Sequence, residues 1–427
     1  MKIPESLPAI TGAHEQTRSA NTCSKPLSIL FVMRDSLPPA RPDVKALFGT
    51  FLFRLGVSSD LVGPKAARFD AENSQWSAGT MTVTGNADGM VAGALKSLRD
   101  LQAIHRLKNN QDIIQVRDRT FSALSVWLLA RLRRKPFVFW MSFPMVEGYE
   151  ARADEVGRKR GLVIWFANHL RAKVARIAYY GFIVRQADHL FVQSDAMLEW
   201  MHAKGIPRER MTAVPMGVDT ETLERNPVNP ADDQRLLGRR VVIYLGALGL
   251  ARQPGFMLDV IAEVRQRYPD VLLVLAGDSD AADEQAWLRR RIEEMDLQQH
   301  VWLTGWLAQT RAMSLVKRAE LGLSPIPRGP LYDVSSPTKA LEYLALGVPC
   351  VGNDIPDQRY VLERSGAGLC VPMTVPAFAG AVETLLADRV YAQTMGARGP
   401  AFIAQERSYQ KLALRVSEVY RSLVSGG

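Results

Sequence analysis

The chain has 427 residues, 47% hydrophobic and 23% charged, with a formal net charge of +9 and mean hydropathy of −0.06. That length exceeds the roughly 250–300 residues at which a single core stops growing, so two domains are expected. Ordinary apolar content excludes wholesale disorder and fibrous repeats, and no apolar run reaches the roughly 20 residues needed to span a membrane. The surplus positive charge suits nucleic acid, an anionic membrane face or phosphorylated small molecules.

Residues 1–25 are polar, carry no apolar signal core, and read as a loose tail on a cytoplasmic protein. From residue 26, short apolar runs alternate with helix-like stretches. The first four candidate strands are Leu27–Met33, Asp112–Val116, Pro136–Trp140 and His189–Ser194. Five more follow at Val241–Gly246, Val271–Gly277, His300–Gly305, Leu321–Ile326 and Pro349–Asn353. Unbroken Val/Ile/Leu runs indicate strands covered on both faces, and their alternation with helices indicates parallel sheets. Each half therefore reads as a doubly wound α/β domain. The division is 26–216 and 239–400, joined by a polar, two-proline linker at 217–238. A C-terminal helix over 401–427 is expected to pack back on the first domain. Ligands of such sheets bind at the carboxyl ends of strands, so the site should lie in the cleft between domains.

Cys23, Cys350 and Cys370 are odd in number and far apart, and the six histidines are scattered. Neither pattern makes a disulfide framework or a zinc site. Asp278-Ser279-Asp280 has metal-binding spacing but sits in the acidic loop GDSDAADE, where a solvated turn is expected. No essential metal and no cofactor are expected.

The informative segment runs from Gly329 to Gln358. Ser336 reads as a helix N-cap, with Pro337 at the first helical position and Thr338 and Lys339 completing the turn. Free N–H groups at a helix start attract anions, and a lysine there is unfavourable unless an anion joins it. Glu342 follows on the same helix face. A lysine for phosphate and a carboxylate one turn on for hydroxyls describe a nucleotide lying along the helix. The alternative is a capped surface helix with a Lys339–Glu342 ion pair.

The stretch SSPTKALEYLALGVPCV, Ser335 to Val351, resembles the donor-binding signature of retaining GT-B glycosyltransferases, most closely glycosyltransferase family 4. Ala187 to Asp219 resembles the family's last N-domain strand, helix and turn into the C-terminal domain. Val241 to Val264 resembles its first strand, loop and helix of the nucleotide domain. The resemblance implies a GT-B fold, in which two Rossmann-like domains face each other across a cleft. It also implies a UDP- or GDP-sugar donor and transfer with retention. Glu342 matches the carboxylate that holds the ribose hydroxyls. Lys339, with Ser335, Ser336, Pro337 and Thr338, matches the loop that approaches phosphate and sugar. Arg252 falls where the family usually places a diphosphate-binding lysine, and a guanidinium fork suits a diphosphate. Lys339 and Arg252 would thus be the catalytic cations. Gly246 and Gly249 would let backbone approach the phosphates, and Trp306 would line the base pocket. The family's second glutamate corresponds to Val334, with Asp333 beside it as a substitute, and its first-loop arginine to Ala247. On the acceptor side Arg34, Arg117, Asp118 and Ser142 are the candidates.

Residues 96–176 carry 17 Lys/Arg against 7 Asp/Glu, a net of +10, so the rest of the chain is nearly balanced. Within this block Leu162 to Val184 mixes aromatics with Arg171, Lys173 and Arg176 near its centre. Central charges are costly in hydrocarbon, which favours an interfacial amphipathic helix or an ordinary packed one. No zinc spacing or RNA-binding motif supports nucleic acid as a partner. The pattern points to a peripheral protein on the inner face of an anionic membrane, and together with the family resemblance it implies action on a lipid-linked saccharide in exopolysaccharide, lipopolysaccharide or glycolipid assembly. The alternatives are a catalytically silent nucleotide-sugar binder and a nucleotide-sugar epimerase. The latter would need acid and base groups deep in the cleft.

Overall fold

A computed structural model describes residues 25–65, 75–84, 102, 104 and 110–426. The expected N-terminal tail, apart from Lys25, and most of residues 96–109 of the basic block lie outside the described residues.

Two all-parallel sheets organise the molecule. The first holds β1 (Leu27–Met33), β2 (Val57–Pro64), β3 (Met81–Thr84), β4 (Ile113–Arg117), β5 (Phe137–Met141), β6 (His189–Val192) and β7 (Met211–Ala213). The second holds β8 (Arg240–Leu245), β9 (Val271–Ala276), β10 (Val301–Leu303), β11 (Leu321–Ser324), β12 (Cys350–Asn353) and β13 (Gly368–Val371). Their orders are β3-β2-β1-β4-β5-β6-β7 and β10-β9-β8-β11-β12-β13. Register is set by the apolar runs, with Ile29 opposite Ile113 and Val242 opposite Leu273. The strands β2, β3, β7 and β13 escape the apolar-run reading. Three of these are edge strands or short, and β2 carries Ser58, Ser59 and Asp60 within its buried pattern.

The helices that matter below are α1 (Asp43–Leu52, π-helical), α2 (Phe121–Leu132), α3 (Met145–Arg160), α4 (Leu162–Arg176), α5 (Asp195–Ala203), α6 (Thr338–Ala345), α7 (Pro356–Ser365) and α8 (Tyr409–Ser425). Each sheet is covered on both faces by apolar clusters. One, containing Phe31, Phe48 and Trp140, also takes Tyr409, Leu412, Val416 and Tyr420 of α8. Tyr420 Oη donates to Gln115 Oε1 at 2.5 Å and Arg421 to the Leu55 carbonyl at 2.7 Å, so α8 lies on the first domain. The helix expected from 401 is two helices. Gly399–Glu406 stays on the second domain, with Ile403 in its core, and the chain crosses at Arg407–Ser408.

The outgoing and returning crossings lie side by side, Val218 N donating to Arg407 O at 2.8 Å and Tyr409 N to Val218 O at 3.0 Å. The stretch 217–238 is not a free linker. Asp219 caps a short helix, and Ala231 and Leu236 are buried in the second domain's core. Sparse apolar residues there act as anchors, which polar composition alone conceals.

Candidate functional site

Strand order reverses between β8 and β11, and the loops leaving these strands frame the second domain's crevice. Gly246 follows β8 at φ +128° and Gly277 follows β9 at φ +152°. A Cβ on Gly277 would stand 2.0 Å from the Gly246 carbonyl oxygen, and one on Gly246 3.0 Å from Lys339 Cε. Only glycine fits both the dihedrals and this stacking of two loops on the lysine stem.

Beside them is a pocket of about 400 Å³ whose walls include Gly246, Gly277, Trp306, Thr338, Lys339 and Glu342. Lys339 Nζ lies 5.0 Å from the centre of the Tyr244 ring. Burial lowers the Lys339 pKa to about 8, the Arg252 charge adding to the shift and Glu342 opposing it. Burial raises the Glu342 pKa to about 7, with Lys339 pulling it back. The ion pair that their spacing allows is not formed, and no hydrogen bond ties either group among the described residues. Both side chains are half-buried, and charged groups drawn part-way out of water without a hydrogen-bond partner are costly. An anion at Lys339 and a hydroxyl pair at Glu342 would satisfy both.

Arg252 ends a short turn, Leu250–Arg252, and its guanidinium stacks over the Tyr332 ring at 5.0 Å. Held by stacking, it remains available to an anion beside Lys339. Trp306 is 57% exposed and forms the pocket rim. The space over Gly249 is taken by Glu284, whose carboxylate a Cβ would approach to 3.2 Å, so Gly249 serves loop packing. Ser279 donates its hydroxyl to the same Glu284, and Asp278 accepts from Ser279 N at 2.9 Å, closing the acidic turn on itself.

The loop into α6 departs from the capping expected of it. Helix α6 begins at Thr338 with Pro337 in the cap position and no side-chain cap. Ser336 is buried instead. Its hydroxyl accepts from Met216 N at 2.9 Å and donates to Asp357 at 2.6 Å, and Arg407 pairs with that carboxylate at 2.7 Å. Ser336 thus ties the loop to both domain crossings, which a cap motif in sequence does not reveal. Ser335 donates to the Tyr332 carbonyl at 2.6 Å. Asp333 is gripped by Arg328 at 2.8 Å and accepts from Gly329 N, so its carboxylate is occupied rather than open to a sugar.

Val334, where a second glutamate was the family pattern, is buried in the first domain's apolar cluster, and its carbonyl accepts from Ser194 Oγ at 2.6 Å. Val334→Glu is therefore expected to destabilise the fold by about 2 kcal/mol or more, since it buries a charge without a partner. It should not restore a sugar contact. Chemical denaturation checks this, and an unchanged midpoint with tighter donor binding would refute it.

On the first domain the reversal lies between β1 and β4. Arg34 follows β1, is exposed and donates to Met145 Sδ at 3.2 Å. Arg117 is not a cleft contact. It is fully enclosed, with Nη2 2.6 Å from Asp43 and Nε 3.3 Å from Asp35. Asp118, also buried and at φ +49°, accepts from the Ser142 amide at 2.9 Å and from its hydroxyl. Burial raises the Asp118 pKa, against the pull of Arg117 and Ser142. These charges brace the loop after β1, leaving Arg34 as the open member of the acceptor set.

Sequence reasoning missed the support beneath the site. Tyr343 Oη accepts from Leu245 N at 2.8 Å and donates to Leu323 O at 3.2 Å, joining α6 to β8 and β11. Asn353 pairs twice with Ile326 at 2.8 Å, and Gln358 binds Ser324. A polar residue closing the run PCVGN was the available signal for Asn353. Tyr343 resembles any packing aromatic.

Two parallel doubly wound domains, with a pocket holding Lys339 and Glu342 at the second switch point, define the GT-B class. Residues 239–388 match the family described as glycosyl transferases group 1, and residues 52–217 match the glycosyl transferase 4-like domain. The chain belongs to the GT-B glycosyltransferases of the family 4 type. It is 25% identical over 247 residues to an alpha-D-kanosaminyltransferase of Streptomyces kanamyceticus, covering 56% of this chain and 62% of that protein. It is 26% identical over 237 residues to a GDP-mannose-dependent phosphatidylinositol monomannoside mannosyltransferase of Mycobacterium tuberculosis, covering 54% and 60%. The chain thus spans about three fifths of the length of these curated relatives. In fold it is similar to sucrose-phosphate synthase of Thermosynechococcus elongatus, with a TM-score of 0.71 at 16% identity over 94% of this chain and all of the other. It is also similar to Anabaena HepE, crystallised with UDP, with a TM-score of 0.66 at 16% identity over 93% and 100%.

Proposed function

We propose that the protein transfers a glycosyl group from a UDP- or GDP-sugar to a lipid-linked saccharide, with retention and without a metal, in surface polysaccharide or glycolipid assembly. The observation that carries this reading is the pair Lys339 and Glu342, neither tied by a hydrogen bond or ion pair among the described residues, at one pocket within reach of the Arg252 charge. The ribose diol donates to Glu342, and the diphosphate lies against Lys339, Arg252 and the first amides of α6. As the bond from the sugar's anomeric carbon to the diphosphate breaks, negative charge grows on the leaving oxygens. Preorganised cations there stabilise the transition state. A leaving phosphate oxygen takes the proton of the acceptor hydroxyl as the new glycosidic bond forms on the same face. The two cations do the neutralising that a metal would do elsewhere. HepE in complex with UDP and the GDP-mannose-dependent relative support the two nucleotide choices. The basic first domain supports work at the anionic inner leaflet.

A second reading, a silent nucleotide-sugar binder, is favoured by Val334 and by Asp333 being bound to Arg328. One experiment separates the two. Thermal shift against UDP, GDP, ADP and their sugars, followed by transfer assays with chelator present, should show stabilisation of about 2.7 kcal/mol at 100 times Kd and retained turnover. Binding without turnover selects the silent reading. No shift with any nucleotide overturns both, and loss of activity in chelator overturns metal independence.

A further inference from the structure

The helical run from Leu162 to Gln186 interrupts the first domain between β5 and β6. It is α4 continued through a π-helical stretch, Ile177–Ile183, and a last turn, Val184–Gln186. It forms a hairpin with α3, turning at Gly161, whose φ is +99°. Its inner face is small and apolar, with Ala172, Ala175, Tyr179 and Ile183 buried. Its outer face is also apolar. Val163, Phe166, Leu170, Val174 and Ile177 follow helical spacing and are 48% to 84% exposed. A soluble helix normally turns charge outward, so a second apolar stripe requires a partner.

The charge on the run says which partner. Leu162 to Gln186 contains four Lys/Arg and no Asp or Glu. Arg176 is used inward, on Glu150 at 2.6 Å, and Arg185 donates to the Tyr180 carbonyl at 3.1 Å. Arg171 and Lys173 are exposed, and at 100° per residue they fall on opposite flanks of the stripe. Cations flanking an apolar stripe can reach lipid phosphates while the stripe sinks to the acyl boundary. The neighbouring α2 adds exposed Leu124, Leu128 and Leu132, followed by Arg133, Arg134 and Lys135. It touches the run through Trp127 and Phe182, at 4.8 Å between rings.

From these observations we infer that the outer face of Leu162–Ile177 docks in the plane of an anionic phospholipid leaflet. A symmetric second copy would bring cationic flanks together with no acid on the face to relieve them. Val163 to Ile177 extends about 21 Å along a convex helix surface, which suits lying on a leaflet rather than receiving a peptide. No described helix is long and apolar enough to cross a membrane, consistent with lying on one. The inference names the surface by which the proposed lipid-linked acceptor is reached, and rests on that reading only for its purpose. Arg34, which follows β1 at the first sheet's switch point, touches Met145 at the start of α3, so the hairpin is rooted beside that switch point.

The test is flotation of the full chain with phosphatidylcholine vesicles, with and without phosphatidylglycerol. The protein should float with the anionic vesicles and largely not with the neutral ones. Phe166→Ser with Leu170→Ser should reduce binding at least about tenfold, because two exposed apolar groups no longer leave water. Arg171→Gln with Lys173→Gln should weaken the preference for anionic lipid and flatten its salt dependence. Both doubles alter exposed side chains, so circular dichroism and the nucleotide-induced thermal shift should be unchanged. No flotation, flotation undiminished by the apolar double, or a change of oligomeric state in place of vesicle binding would overturn the inference. Failure of the transfer assay alone would count against the enzymatic reading and leave this surface standing.

Discussion

Replacing Lys339 with alanine is expected to lower turnover on the order of 100-fold, as loss of one preorganised donor to a developing oxyanion does. Donor affinity should fall less, because Arg252 and the α6 amides remain on the diphosphate. The pH profile provides the sharper measurement. In the free site Glu342 is half protonated at about pH 7 and Lys339 half neutral at about pH 8. A protonated Glu342 is a poorer acceptor for the ribose diol, so affinity falls as pH drops below about 7. A neutral Lys339 gives no charge to the diphosphate, so affinity also falls as pH rises above about 8. The unmodified protein should therefore bind its nucleotide best between these values. Lys339→Ala should lose the alkaline limb, and its acid limb should move to higher pH because the lysine no longer holds the Glu342 pKa down. Calorimetric titration with UDP or GDP across this range reads both limbs. Unchanged turnover, or an alkaline limb that survives, would remove Lys339 from the phosphate role.

The placement of Lys339 and Glu342 at one pocket was legible because it is local. Lys339 and Glu342 lie one turn apart on one helix, and the strand-loop-glycine pattern at Gly246 places them opposite a backbone turn. The acceptor half was not, because its geometry is non-local. Arg117 and Asp118 end a strand at the switch point, where an open arginine and an enclosed one read identically in sequence. What decides between them is Asp43, 74 residues earlier, which folds back over the guanidinium. Ser336 failed for the same reason. Its partners Met216 and Asp357 come from a domain crossing and from α7, and an N-cap motif contains no information on either. The edge strands β3, β7 and β13 were illegible because each is only three or four residues long and lacks a long apolar run. For Arg117 and Ser336 distant contacts overrode a sound local signal, whereas the edge strands offered little local signal to begin with.

Replacing Arg117 with alanine is expected to cost about 3–5 kcal/mol of stability, the range for breaking a buried ion pair from one side. The guanidinium is fully enclosed, and its removal leaves the Asp43 carboxylate in a low-dielectric pocket with Arg41, at 3.0 Å, as its remaining cation among the described residues. Burial alone would push the Asp43 pKa up, but Arg117 first and Arg41 second outweigh it and bring the pKa to about 2. Because that pKa lies below the unfolded value of 3.8, the ionised form stabilises the fold above about pH 4. The contribution is lost as pH falls from there toward 2. Without Arg117 the balance tips back to burial, so Asp43 takes up its proton at higher pH and the unpaired charge disappears. The stability gap between the two proteins should therefore be widest near neutrality, begin to narrow above pH 4 where Asp43 of the variant takes up its proton, and go on narrowing toward about pH 2. Asp43→Ala added to Arg117→Ala should cost less than the sum of the single losses, because each replacement removes the other's orphaned partner. Urea denaturation of the four proteins at two pH values measures the gap and the coupling together. A loss under about 1 kcal/mol, or strict additivity, would mean that the loop after β1 is held by its apolar contacts at Leu37 and Val44, with Arg117 only filling space beneath it.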